Sequence, residues 1–242
     1  MASTTETGHA KNVANFYALI SFCTGYGSQY NPSKPTLALA VLTPQHLAAD
    51  TAVKFVNQTV QPHTAAVNAR QAGFAPLNKL CTRVINSLEA NTDDQNIIRD
   101  ARALVDKIAG VRRTPKPIDP VTGTSTAYSA SQQSFDMRLD HFDQLVKLLL
   151  NHPYYTPNET ALQASTLQSL HVSLEASNNA VKDAYTAISN ARIQRDAVLY
   201  HPLTGLVKTT KDVKKYVKSV FGATSDEYAQ VSALAFRVIK SK

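Results

Sequence analysis

The chain has 242 residues, 43% hydrophobic and 18% charged, which supplies one large core or two small ones and excludes a collagen-like or broadly disordered protein. Lys and Arg total 25 against 18 Asp and Glu, a formal net charge of +7, which favours acidic partners such as nucleic acid, anionic lipid or an acidic protein surface. No apolar run approaches the ~20 residues of a membrane span and no basic-then-apolar leader opens the chain, so a cytoplasmic protein is expected.

Residues 1–10, MASTTETGHA, read as a disordered tail. NVANFYALISFCTGY then has helical periodicity and carries Cys23, while Cys81 lies in a later helix. Two cysteines in apolar surroundings make neither a disulfide framework nor a zinc set, so both read as buried free thiols. In the next helical stretch Pro44 and Pro62 predict a break after Leu42, with Thr43 capping a helix that begins at Pro44, and a kink near Pro62. Pro76 marks the start of a third helix, and NTDDQ offers Thr92 as the cap of a fourth. Residues 111–128, rich in Pro, Thr and Ser, read as a linker.

SQQSFDMRLDHFDQLVKLLLNH is amphipathic, with Phe135, Leu139, Phe142, Leu145, Val146 and Leu149 on one side. From about Asn158 to Leu199 the apolar positions Leu167, Leu170, Leu174, Val181, Ile188 and Ala191 keep coiled-coil-like spacing. Pro202 sits near the next helix start, and Ser225 of TSDEY caps the last helix.

The segment YNPSKPTLALAVLTPQH from Tyr30 is echoed by YTPNETALQASTLQSLH from Tyr155. The alignment places Leu37 on Leu162, Leu42 on Leu167 and His46 on His171, and after a three-residue change Arg70 on Arg192. This predicts an all-α, internally duplicated helical bundle with long coiled-coil-like helices: two four-helix repeats at 11–110 and 129–242. LCTRVINSL, SQQSFDMRLDHF and FGATSDEY resemble segments of uncharacterised helical proteins of Bacteroidota, the likeness extending over most of the chain from Tyr17. The resemblance implies a bacterial cytosolic setting and a largely helical fold, and no activity.

No Gly-rich phosphate loop or nucleophile elbow is present, so no catalytic residue and no cofactor are expected. His46 with Asp50, and His171 with Glu175, each set an imidazole and a carboxylate one helical turn apart. Four such ligands would suit a metal in a symmetric bundle, yet the Glu-x-x-His pairs of di-iron bundles are missing and a surface hydrogen-bonding role is the plainer reading. Asp136, Asp140 and Asp143, with His141 beside them, would bind a cation, but read as a solvated face with Arg138 available to neutralise it.

In LVKTTKDVKKYVKSVF, Lys208, Lys211, Lys215 and Lys218 share one side with Lys214 at its edge, a candidate polyanion-binding face. The leading expectation is a non-enzymatic structural or interaction protein that presents helical surfaces to copies of itself or to a larger complex. The first alternative is nucleic-acid or polyanion binding through the basic helix, helped by Arg112, Arg113 and Lys116, and the second is a metal-binding helical-bundle enzyme. The partner expected is therefore a protein, including a second copy, with nucleic acid next.

Overall fold

The computed structural model describes residues 4–111 and 133–239. The helices are α1 (Thr4–Gly25), α2 (Leu39–Phe74), α3 (Leu77–Asn91), α4 (Gln95–Ala109), α5 (Phe135–Leu150), α6 (Ala164–Tyr200), α7 (Leu206–Phe221) and α8 (Asp226–Ser232). Short 3-10 turns, Pro35–Leu37 and Thr160–Leu162, precede the two long helices, and no strand occurs among the described residues. The fold is all-α, and no helix among the described residues is long and apolar enough to cross a membrane. Most of the 111–128 linker, with Arg112, Arg113 and Lys116, lies outside the described residues.

Several elements differ from the expectation for local reasons. Helix α1 begins at Thr4, inside the stretch assigned to a tail. Its first turns have a partner: His9 Nδ1 lies 2.6 Å from the Tyr200 hydroxyl and Asn12 bonds the Arg237 carbonyl. Helix α2 is continuous through Pro44 and Pro62. Each proline removes one N–H, orphaning the carbonyl four residues back. Those residues, Ala40 and Gln58, are exposed, so water can take the missing donor's place. Thr43 donates to the Leu39 carbonyl at 3.0 Å instead of capping Pro44, and Gln45 anchors the turn to the Thr204 carbonyl at 2.9 Å. The cap of α4 is Asp94, which accepts from Asn96 N at 3.0 Å, and not Thr92. Ser225 caps α8 by accepting from Tyr228 N at 3.1 Å, and Ser134 does the same for α5.

The chain divides into two compact units, Met1–His63 with Ala184–Lys242, and Thr64–Asp183. These boundaries fall inside α2 and α6, so the units are not the sequence segments 11–110 and 129–242. In the first unit α1 packs with α7 and α8 around Phe16, Leu19, Leu42, Val213 and Val217. In the second α4 packs with α3 and α5 around Leu88, Ile108, Phe142, Leu145 and Leu167.

Within each unit the same local devices occur. A buried Tyr30 hydroxyl donates to the Leu37 carbonyl at 2.8 Å, and Tyr155 to Leu162 at 2.8 Å. Buried positions along α2 and α6 keep one spacing: Leu42, Ala49, Val53, Val56 and Phe74 correspond to Leu167, Leu174, Asn178, Val181 and Leu199. That register is gapless and sets Arg70 opposite Arg195 instead of Arg192. The buried faces of α3 (Leu77, Cys81, Val84, Leu88) and α7 (Leu206, Thr210, Val213, Val217) likewise share a spacing.

The buried stripe of α6 serves both units, Leu174 in one and Ile188 in the other. Leu174→Asp and Ile188→Asp each place a carboxylate in an apolar site with no partner. Each is expected to cost more than about 3 kcal/mol in urea unfolding, with unchanged midpoints showing the stripe to be exposed.

Candidate functional site

The four metal-ligand candidates are placed as ordinary helix-surface residues. His46 lies against the Tyr17 ring at 5.3 Å between centroids, and Asp50 bonds Lys54 at 2.6 Å. His171 lies 6.4 Å from the Phe142 ring and Glu175 is exposed. Among the described residues no three His, Cys, Asp or Glu side chains form a group that could hold a metal ion.

The acidic face of α5 is divided among separate partners. Asp136 accepts from Asn178 Nδ2 and Lys182 Nζ, both at 2.8 Å. The Lys182 hydrogen bond is the main cause of its lowered carboxyl pKa. Asp140 accepts from Gln144 and Asp143 from Lys147. His141 is buried, and desolvation lowers its pKa. Arg138 is not the neutralising cation: its guanidinium donates to Asn78 Oδ1 at 3.0 Å and lies over the Phe74 ring. Beside it Arg70 bonds Asn178 Oδ1 at 3.0 Å and stacks 4.0 Å from the Phe135 ring centroid. The seam position Asn178, fully buried, thus links α2, α5 and α6 through its amide.

The lysines of α7 separate into distinct roles. Lys208 bonds Asp212 at 2.5 Å, and Lys34 reaches the same carboxylate at 3.3 Å. Lys218 lies 5.4 Å from the Tyr228 ring. Lys214 donates to the Leu234 carbonyl at 2.5 Å and to Ser232 at 3.3 Å, and burial lowers its pKa. Lys211 and Lys215 are exposed. The five-lysine face therefore leaves Lys211 and Lys215 uncommitted, because Lys208 pairs with Asp212 one turn along α7 and Lys214 and Lys218 contact the α8 region of their own unit.

Both cysteines are free and buried, and burial pushes each thiol up to about 12. They offer no nucleophile at neutral pH.

One surface feature stands apart from these satisfied polar groups. In the unit containing α1, an apolar groove of about 670 Å3 runs between α2 and α6, lined by Pro44, Leu47, Ala48, Phe55, Gln194 and Val198. Leu47 is 65% exposed and Phe55 46%. Positions 44, 47, 48, 51 and 55 form a second stripe on α2, one step around from the buried Leu42, Ala49 and Val53. The groove's signal in the sequence was Leu47 and Phe55 falling off the seam register, a signal obscured by reading Pro44 as a helix break.

Two outcomes follow from these bonds. Asp136 titrates below its unfolded value near 3.9, so its stabilisation is complete above about pH 5 and fades as pH falls through the lowered value. Because the Asp136–Lys182 pair is largely exposed, the stability gap between wild type and Asp136→Asn is expected to stay below about 1 kcal/mol at pH 7 and to narrow progressively as the pH is lowered, read by urea unfolding. In thermal unfolding, Lys214→Met should lower the midpoint because two carbonyls lose their donor, while Lys211→Gln with Lys215→Gln should leave it unchanged.

The chain matches no known protein family, no curated protein and no solved structure.

Proposed function

We propose that the protein is a non-enzymatic interaction protein that assembles with copies of itself through its helical surfaces. The observation that carries this reading is the apolar groove between α2 and α6. Exposed contiguous apolar surface of this kind marks an association site. A second copy suits it because the region contains a concavity together with outward apolar side chains: Leu47 on α2, and Ile193, 64% exposed, beside Gln194 on α6. A two-fold related copy would insert the knobs of one surface into the groove of the other and receive the same in return. The commitment of Lys208, Lys214 and Lys218 to intramolecular contacts favours this reading over a polyanion-binding helix. The recurring Tyr hydroxyl bonds and shared burial spacing support reading the chain as an internal duplication, so assembly would repeat between chains a kind of helix pairing already present within one.

Light scattering and sedimentation over a range of protein concentrations test the proposal. Wild type is expected to associate reversibly, and Leu47→Glu with Phe55→Glu to weaken association at least tenfold. Thermal unfolding should be unchanged, since both side chains already face solvent. Wild-type protein that remains monomeric throughout the range rejects self-assembly.

A further inference from the structure

The gapless register that sets Leu42 on Leu167 and Val56 on Val181 compares the two long helices position by position. Residues 44, 47, 48, 51 and 55 of α2 correspond to 169, 172, 173, 176 and 180 of α6, and every one of these positions is exposed. In α2 they are Pro44, Leu47, Ala48, Thr51 and Phe55, which line the apolar groove. In α6 they are Ser169, Val172, Ser173, Ala176 and Ala180. One helix face, folded in one register over buried positions of one spacing, is therefore built once with a large aliphatic and an aromatic side chain and once mainly with serine and alanine. The core does not require Leu47 and Phe55, because the counterpart face folds without them. Their exposure marks an association site. The facing helix differs in the same sense. Val198, which walls the groove, corresponds to Gly73, where a Cβ would lie 3.2 Å from Leu174 Cδ2, so glycine admits the Leu174 side chain there.

We propose that this face of α2 pairs with the same face of one second copy, antiparallel about a two-fold axis at Thr51, and that assembly stops at two chains because the counterpart face of α6 lacks the apolar pair. The inference rests on the reading of the protein as one that self-assembles, and specifies the contact and its stoichiometry. Three observations favour it. Leu47 and Phe55 stand four residues to either side of Thr51, so an antiparallel copy sets each Leu47 against the partner's Phe55. Ala48, Thr51 and Ala52 between them are small, which lets two helices approach closely. The second observation is charge. In a chain of formal charge +7 the groove is lined by no charged side chain, and beside it on α2 stand one carboxylate and one ammonium a turn apart, Asp50 and Lys54. Reversal of direction across the axis brings Asp50 toward the partner's Lys54 and Lys54 toward the partner's Asp50, so the two rims are complementary. The third is that the apolar set occurs on one long helix only. A single self-complementary face closes on a second copy, whereas a further such face on α6 would join pairs into open chains.

Disulfide trapping in the full chain tests this. Thr51→Cys places a thiol at the axis, and Ala176→Cys places one at the corresponding exposed position of α6, while the native thiols are buried. Oxidised glutathione serves as the oxidant and is reduced to two thiols as each disulfide forms. At a concentration where wild type associates, Thr51→Cys is expected to give a covalent homodimer in at least tenfold higher yield than Ala176→Cys. Adding Leu47→Glu with Phe55→Glu should lower that yield at least tenfold. In sedimentation the wild type should reach a plateau at twice the chain mass, and Val172→Leu with Ala180→Phe, which installs the apolar pair on α6, should give species beyond it. No trapping at position 51, equal trapping at 51 and 176, or wild-type species beyond two chains overturns the pairing. A graft that stays at two chains overturns the account of why assembly stops. If wild type still associates in any of these cases, the assembly reading itself survives. A wild type that never associates removes both.

Discussion

The length of two helices governs how this chain folds. At about 1.5 Å per residue, α2 and α6, with 36 and 37 residues, each extend beyond 50 Å. A compact body of roughly 120 residues has a radius of gyration near 14 Å. Neither apolar stripe fits inside one such body, so each helix must contribute to two cores. The compact units reflect that necessity: both contain part of α2 and part of α6, and one is assembled from the two ends of the chain while the other is the stretch between them. Each half-helix is then completed by the short helices nearest to it. The Tyr30 and Tyr155 hydroxyls fix the turns through which the chain enters the long helices.

The long helices also distribute the charged residues. The charged residues that looked like ligand sets are spread along helix faces, where each finds a neighbour one turn away or on the adjacent helix. Asp50 takes Lys54, Asp143 takes Lys147 and Asp212 takes Lys208. Such exposed pairs add little stability, and each compensates its carboxylate locally. The groove between α2 and α6 is instead apolar and open to solvent. What is satisfied in an uncommon way is a peptide backbone, held by Asn12, Asn15 and Lys214.

The helical class and most of the core were legible because burial follows a 3.6-residue period, and Leu167, Leu174, Val181 and Ile188 are all buried as that period requires. The register at Arg70 differs from the expected one because matching identical letters, Asn-Ala-Arg with Asn-Ala-Arg, outweighed continuity of the buried face. Pro44 was misjudged as a break because local propensity says nothing about whether the orphaned carbonyl reaches water. The polar seam was partly hidden as well. Asn178 and Arg195 occupy apolar positions by spacing, and only tertiary packing reveals Arg70 and Asp136 as the partners that make Asn178 tolerable. Asn12 and Asn15 lie on the same face of α1 as Phe16, Leu19 and Cys23, a conflict between residue type and period that signals a buried polar contact without identifying it.

The buried cysteines have a consequence for observing the molecule. Cys23 belongs to the unit containing α1 and Cys81 to the unit containing α3, and each thiol reacts only when its surroundings open and allow the thiolate to form. The chain therefore carries one internal clock per unit. The rates at which a small electrophile modifies the two sulfurs report two opening events separately, and their ratio measures whether the shared long helices make the units unfold as a single cooperative body.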